Sequence, residues 1–261
     1  MGAPPSIRLS PLADIPAGPA RSYAWLAMSA RLVIPDRVDV ETDLSVDRPW
    51  WQFSVRYNIG AAESIPVARM HGRESEGVMM SWGLIPAAAK GDVRRRGPGR
   101  LYADYVGSGD FRTAWLHGQR GIVPLAGFYL WQRTAAGHRQ PYYVRLVNRP
   151  VFGVAALWER SVSEEDEVIE SCALLTVPAN PLLAEIDSDD GQMPAILRRE
   201  EYDVWLRSRV ADAKELLATH PQTRMLCHPV GPYVNDPRLD GPELLRPVSL
   251  EALEPQRRQA T

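Results

Sequence analysis

Short runs of branched and aromatic residues recur along residues 50–179 and again near residue 230. Each run ends near Gly, Pro or Asn, as β-strands joined by turns do. One of them, VPLAGFYLW at 123–131, has the pattern of a buried strand that enters a tight turn and leaves with aromatic residues. A mainly antiparallel β core is therefore predicted. The predicted strands are WWQFSVRYNI (50–59), SIPVARM (64–70), GVMMSWGLIP (77–86), QRGIVPLAGFYLW (119–131), QPYYVRLV (140–147), VFGVAALWE (151–159), ESCALLTVPA (170–179) and MLCHPVGPYV (225–234).

Other segments place apolar residues three or four positions apart, which is the spacing of an amphipathic helix. The predicted helices are RTAWLHGQ (112–119), ANPLLAEI (179–186), RREEYDVWLRS (198–208) and ADAKELLATH (211–220). The residues expected on the buried faces are Leu182, Leu183 and Ile186 in the second helix and Tyr202, Trp205 and Leu206 in the third. With strands in the majority and helices packed on them, the fold class is α+β.

Three zones divide the chain. Residues 1–21 are rich in Pro, Ala and Gly without apolar periodicity, which predicts a flexible or surface-draped leader. Residues 22–250 contain no internal repeat and no good boundary, so they are expected to form one compact domain. Residues 251–261 form a polar tail.

Composition narrows the function only a little. The 261 residues are 45% hydrophobic, enough for a core, and the formal net charge of −2 means that nucleic-acid binding would need a local basic patch. Cys172 and Cys227 are the only cysteines, too few for a disulfide scaffold or a structural zinc site, which favours a reducing, cytoplasmic setting. No apolar run approaches the roughly 20 residues of a membrane helix. We expect no cofactor, no metal and no membrane partner.

Taken together, the blocks resemble a known family. RYNIGAAESIPVAR (56–69), SWGLIPAAAK (81–90), GIVPLAGFYLW (121–131), ALWER (156–160) and MPAILRREEYDVWL (193–206) occur in the order and spacing of the SRAP family. These SOS-response-associated, peptidase-like proteins shield abasic sites in single-stranded DNA. The resemblance spans about residues 24–207, and it implies barrel-like sheets and a DNA partner with intact or abasic single strands.

The resemblance also implies a reaction that this chain lacks the residues to perform. Family members expose a cysteine after removal of the first Met, and its amine and thiol close a thiazolidine ring on the sugar aldehyde. Here residue 2 is Gly, and the block SYAWLAMSA (22–30) has no cysteine, with Ala24 as the expected counterpart. Cys172 and Cys227 cannot replace it, because the nitrogen of an internal cysteine is locked in a peptide bond.

Three further family positions differ. The motif Gly-Phe-Tyr-Glu-Trp appears as GFYLW, so Leu130 replaces the Glu that exchanges protons during imine formation. The motif His-Asp-Arg-Met-Pro appears as DGQMP, which puts Asp190 at the histidine. The segment Asn-Ala-Arg aligns with RLY, which puts Arg100 at the asparagine and Tyr102 at the arginine. The thiazolidine chemistry is therefore predicted to be lost, as in a pseudoenzyme.

A binding surface could outlast that chemistry. Aromatic side chains beside a cationic groove hold single strands without reading their sequence. The residues that match the family there are Arg56, Trp82, Arg112 and Trp131, and Arg100 belongs to the basic, Gly-rich stretch VRRRGPGR (93–100). Each has a plainer interpretation, with the tryptophans in the core and Arg112 in a structural ion pair. The turn GAAE (60–63) puts Glu63 near the expected phosphate path, which weakens the DNA hypothesis.

Several other clusters favour structural roles. EIDSDDG (185–191) gathers acids that could bind a divalent cation, but it lacks the spacing of a calcium loop and contains an ordinary turn. Cys227 and His228 are adjacent, so on a strand they point to opposite faces and form no dyad. EEDE (164–167) is predicted to be a hairpin tip.

Three functions stay open on this sequence. The first is a phage-related or SOS-context protein that binds single-stranded or abasic-site DNA without the crosslink. The second is an enzyme of altered mechanism, in which Asp190, Arg100 or the amine of Gly2 performs lyase, peptidase-like or Schiff-base chemistry. The third is an interaction scaffold that does not bind DNA.

Overall fold

The computed structural model describes residues 31–87, 97–134, 137–163, 166–187 and 190–249. Both the predicted leader and the polar tail lie outside these ranges. The helices are α1 (Arg37–Leu44), α2 (Arg112–Leu116), α3 (Pro181–Ile186), α4 (Tyr202–Arg207) and α5 (Val210–Lys214). The strands are β1 (Arg31–Ile34), β2 (Arg48–Pro49), β3 (Arg56–Ile59), β4 (Ser64–His71), β5 (Glu74–Trp82), β6 (Arg100–Tyr102), β7 (Arg120–Leu125), β8 (Gly127–Arg133), β9 (Arg139–Leu146), β10 (Phe152–Val162), β11 (Val168–Pro178), β12 (Gln192–Pro194) and β13 (Met225–Pro229).

Five strands close into a barrel. Neighbours β11–β10, β10–β7, β7–β4 and β4–β5 pair antiparallel, and β5 returns to β11 in a short parallel ladder. Strands β6 and β12 extend the barrel from β11, and β2 extends it from β5. Closure removes the two free edges that an open sheet of these strands would have.

A second, five-stranded sheet runs in the order β13-β9-β8-β1-β3. The chain passes from the barrel to this sheet at Ala126, whose N–H donates to Val33 O on β1 at 2.9 Å. Alternate residues of β8 then face two different cores. Leu130 belongs to the main core, whereas Tyr129 and Trp131 belong to a smaller cluster with Tyr143.

A buried ion cluster ties three barrel strands together. The Arg69 guanidinium on β4 donates to Glu76 on β5 at 2.7 Å and to Glu170 on β11 at 2.8 Å. It also stacks over Trp158 on β10, 4.3 Å from the ring centroid. Because each partner comes from another strand, a slip of register would break these contacts.

The predicted α+β class, the antiparallel core and the single compact domain are confirmed by this architecture. The turn predicted within 123–131 is the crossing at Ala126. The EEDE segment lies between β10 and β11. These two strands pair antiparallel as far as Val162 and Val168, so the predicted hairpin is confirmed on its described residues. The predicted buried faces of α3 and α4 are also found, with Leu183 and Trp205 fully buried.

Several predicted strand and helix ends were wrong. The run at 50–59 becomes a strand only at Arg56, because Trp51 leaves the extended path to pack on Gly77, where a Cβ would lie 2.4 Å from the indole. Strand β5 ends at Trp82, since Gly83 turns the chain with a φ of +139°. Helix α5 ends at Lys214, beyond which i→i−3 hydrogen bonds tighten the turn.

The sequence pattern did not reveal α1 or the early end of β13. Helix α1 is a weakly amphipathic surface helix whose N-terminus is capped by Asp36, which accepts from Val38 N at 2.9 Å. Strand β13 stops at Pro229, and a short 3-10 helix begins at Pro232.

Candidate functional site

Leu130 lies in the interior, with 4% of its surface exposed. It faces Tyr142 across the β8–β9 ladder, and residues two apart on a strand share a face. On that face Gln132 donates to Glu185 O on α3 at 3.2 Å and accepts from the Tyr142 hydroxyl at 3.0 Å. Helix α3 therefore covers the side of β8 on which Leu130 packs.

Arg100 and Asp190 form a largely buried ion pair. Arg100 Nη1 donates to Asp190 Oδ2 at 2.8 Å, and their side chains are 12% and 8% exposed. Tyr102, on the same face of β6, donates its hydroxyl to the other oxygen, Oδ1, at 3.0 Å. Both carboxylate oxygens of Asp190 thus accept a hydrogen bond within the cluster.

The chain path explains this meeting. The C-terminal half of β11 has β6 on one side, where Tyr102 faces Thr176, and β12 on the other, where Pro194 faces the same residue. Asp190 comes just before β12, so the ion pair reaches across β11. Arg100 Nε is buried without a hydrogen-bond partner among the described residues.

Asp187 is a fourth member of this cluster, and sequence reasoning did not single it out. Burial raises the pKa of its carboxyl, and the charge of Asp190 raises it further, while Arg100 and Arg139 lower it. Asp187 is only 6% exposed. The acid-rich stretch 185–191 was the available signal, but it does not tell which acid is buried.

The two tryptophans are core residues in this structure. Trp82 is completely buried and donates its indole N–H to Gly99 O at 2.7 Å. Trp131 is 7% exposed and donates to Asn235 Oδ1 at 2.9 Å. Neither ring offers a face to a base in this conformation, so the predicted stacking role stays a prediction. Their burial supports the other interpretation, that both tryptophans are core residues.

The Gly-rich end of the basic stretch packs against this core. A Cβ at Gly97 would lie 1.6 Å from Leu84 O, and one at Gly99 would lie 3.0 Å from Trp82 Nε1. These glycines permit close contact between two segments of the chain. The arginines at 94–96 lie outside the described residues.

Arg56 is held between two carboxylates. Its Nη2 donates to Glu63 at 2.7 Å, and its Nε donates to Asp240. These hydrogen bonds and charges raise the pKa of Arg56 against the opposing effect of its burial. The two carboxylates therefore offset the positive charge of Arg56. Its predicted contact with DNA stays a prediction.

Arg112 and Tyr105 are both exposed in the segment that follows β6. Arg112 begins α2, and its side chain has no hydrogen bond or ion pair to another described residue. Tyr105 is 69% exposed, and its ring meets that of Tyr102 edge to face, with centroids 6.2 Å apart. Tyr105 lies three residues after Tyr102 but was not predicted as a site residue, because a sequence does not show which tyrosine is exposed.

The remaining clusters are structural. Cys227 packs toward the main core while His228 meets the Tyr143 ring on the other side of β13, so the prediction of opposite faces is confirmed. Within the described ranges, no group of three or more His, Cys, Asp and Glu side chains is arranged to hold a metal ion. No described helix is long and apolar enough to cross a membrane.

The described residues thus form an α+β protein in which a closed barrel is joined to an open sheet and a buried polar cluster of Arg100, Tyr102 and Asp190 lies beside β11. A family model described as SOS response associated peptidase (SRAP) matches residues 28–237. The chain therefore belongs to the SRAP family. Ala24 lies upstream of the matched range and outside the described residues.

Two solved structures share this fold. One from Bacteroides thetaiotaomicron has a TM-score of 0.70 at 22% identity, covering 84% of this chain and 99% of that chain. One from Bordetella bronchiseptica has a TM-score of 0.69 at 20% identity, covering 78% of this chain and 99% of that chain.

Curated relatives are more informative about function. The abasic site processing protein YoqW of Bacillus subtilis is 25% identical over 212 residues, which cover 79% of this chain and 93% of that protein. The abasic site processing protein HMCES of Mus musculus is 26% identical over 249 residues, covering 77% of this chain and 69% of that protein.

Proposed function

We propose that this protein binds single-stranded DNA, with abasic sites preferred, and does so without forming a covalent thiazolidine. The observation that carries the proposal is the state of three positions that the family resemblance marks as reactive. Leu130 is packed in the core, and Arg100 and Asp190 are engaged with each other. A DNA-damage, SOS-response setting in the cytoplasm belongs to the same proposal.

The requirements of imine formation support the proposed loss of chemistry. An amine attacking an aldehyde must lose protons, and the leaving hydroxyl must gain one, so a titratable group has to lie near the carbon. Leu130 has no such group and lies under α3. Asp190 accepts one hydrogen bond on each oxygen, from Arg100 and from Tyr102, which holds it in the buried cluster.

DNA binding is supported by the relatives and by the exposed groups. Two relatives carry the name abasic site processing protein. Tyr105 presents an exposed ring beside the Tyr102–Asp190 cluster, and stacking of a base on an aromatic ring contributes about 1–3 kcal/mol. Arg112 supplies an exposed cation without a described partner.

The test is fluorescence anisotropy with a labelled single-stranded oligonucleotide, intact and with one abasic site, at low and physiological salt. Denaturing gels of the same samples detect covalent adducts. We expect salt-sensitive binding, tighter for the abasic strand, with no gel-stable adduct. Absence of binding at low salt would contradict the proposal, and an adduct without reductant would contradict the loss of chemistry.

Borohydride treatment of parallel samples tests the second candidate function, Schiff-base chemistry, because only a Schiff base is reduced to a stable adduct.

Two variants then locate the DNA-binding surface. Tyr105→Ala is expected to weaken binding about tenfold, whereas Trp50→Ala is not, although Trp50 is 64% exposed. Trp50 follows β2, which pairs with the Glu76–Gly77 end of β5, away from β6.

A further inference from the structure

Three hydrogen-bond donors converge on the carboxylate of Asp240. Tyr57 N donates to Oδ1 at 2.5 Å and Asn58 N donates to the same oxygen at 3.0 Å. Arg56 Nε donates to Oδ2. Two adjacent backbone N–H groups and a guanidinium are a donor set that binds phosphate and carboxylate groups. In this structure that set is filled by a carboxylate of the same chain.

Glu63 does not compete for these donors. It takes Arg56 Nη2 at 2.7 Å and Gly60 N at 2.7 Å, which are different groups. A second guanidinium lies close by, because Arg31 Nη1 is 3.4 Å from Asn58 O. If Asp240 left, Arg56 Nε and the amides of residues 57 and 58 would lose their acceptor, while Glu63 would stay paired with Arg56 Nη2 and Arg31 would stay nearby.

The segment that carries Asp240 is built like a loop between two anchors. Val234 and Leu244 are buried at 0% and 4% exposure, and residues 237–240 between them are exposed. Asn58 Nδ2 holds the loop through Asp236 O at 3.0 Å and Leu239 O at 2.8 Å. Outward movement of residues 237–240 breaks the hydrogen bonds to the backbone of β3 and to the buried Asn58 side chain, while both apolar anchors stay in place.

We propose that Arg56 and the amides of Tyr57 and Asn58 form a phosphodiester-binding site for the DNA strand, which Asp240 occupies as an internal competitor. This inference rests on the proposed function and adds a contact point and its regulation. The same loop begins at Asn235, whose Oδ1 accepts a hydrogen bond from the indole N–H of Trp131. Two residues predicted to contact DNA are thus held by one loop, and DNA displaces that loop when it binds.

A matched pair of charge variants tests the proposal. Asp240→Asn and Asp236→Asn each remove one negative charge from the same loop, but the Asp236 carboxylate bonds to Arg238 and not to β3. We expect Asp240→Asn to bind the labelled strand about threefold to tenfold more tightly than wild type, as one added phosphate contact does. Asp236→Asn stays within about twofold, and adding Arg56→Ala to Asp240→Asn removes the gain.

An NMR titration with inorganic phosphate gives a readout that does not depend on DNA. In Asp240→Asn the amide signals of Tyr57 and Asn58 are expected to shift with phosphate, and in Asp236→Asn they are not. Phosphate-dependent shifts without DNA binding by any variant would support the anion site and contradict the proposed function. Thermal unfolding checks that the variants fold. If Asp240→Asn does not fold, Asp240→Ser is compared with Asp236→Ser in its place.

Equal DNA affinity of the two variants, together with unshifted amides, would overturn the inference. If the wild type binds DNA in that case, the proposed function stands and Asp240 only caps the edge of β3. Binding by Asp240→Asn but not by wild type would support the inference and restrict DNA binding to the state with the loop released.

Discussion

The Arg100 guanidinium lies 2.8 Å from the Asp190 carboxylate, and the two residues are 90 positions apart in the chain. Their bond crosses β11 and joins β6 to the segment that leads into β12. The family resemblance puts an asparagine and a histidine at these positions. On that alignment, the chain has two opposite charges where an uncharged donor and a titratable ring are expected.

The two charges are expected to be strongly coupled. Removing one partner of a buried pair leaves the other charge uncompensated, so Arg100→Ala and Asp190→Ala should each lower the free energy of unfolding by about 3 kcal/mol. The double variant should lose less than the sum, with a coupling energy of about 1–3 kcal/mol. Urea unfolding of the four proteins measures this cycle. The exposed pair Arg207–Asp203 serves as control, and equal coupling in both pairs would contradict the prediction.

Restoring the family's glutamate at position 130 should destabilise the fold and not restore the reaction. Leu130→Glu puts a carboxyl under α3, where burial without a partner costs about 3 kcal/mol or more. Leu226→Glu, on β13 of the same sheet, changes a residue that is 43% exposed. Chemical denaturation compares the two. If Leu130→Glu lowered the free energy of unfolding no more than Leu226→Glu does, the interior around position 130 would accommodate a charge.

Asp187 predicts a stability change that depends on pH. Because its folded-state pKa is raised above the ordinary value of 3.8, its ionisation opposes folding. The stability that its protonated form contributes is complete below 3.8 and is lost as pH rises through the raised pKa. Asp187→Asn should therefore be more stable than wild type at pH 7, with the difference vanishing near pH 4. Urea unfolding at both pH values measures it, and a difference independent of pH would assign the effect to hydrogen bonding alone.

The two thiols should differ in reactivity. Cys172 is completely buried and burial raises the pKa of its thiol, so it should react with a disulfide reagent only after unfolding. Burial, and then the charge of Glu185, raises the pKa of Cys227, which should react slowly in the native state. Thiol counting before and after denaturant checks this. Rapid native labelling of Cys227→Ser would show that Cys172 is accessible.

Local patterns predicted most elements, and long-range contacts decided where they end. The run 50–59 reads as one strand, yet Trp51 leaves that path because Gly77, on β5, provides room for its indole. Runs of branched and aromatic residues predicted the strands of the barrel, but they did not predict that β11 exchanges its neighbours halfway along. The pairing partner depends on the whole chain, since both edges of every strand present the same backbone N–H and C=O groups.

The candidate site divides in the same way. That position 130 cannot carry a proton is determined by the residue type, because leucine has no titratable group in any environment. The sequence likewise determines that both cysteines are internal and that family-like blocks occur in order. Only the tertiary structure decided that Trp82 is buried, that Arg100 meets Asp190, and that Asp240 reaches Arg56 from 184 positions away. Burial and charge pairing depend on which segments become neighbours in space, and a single sequence read locally does not contain those distances.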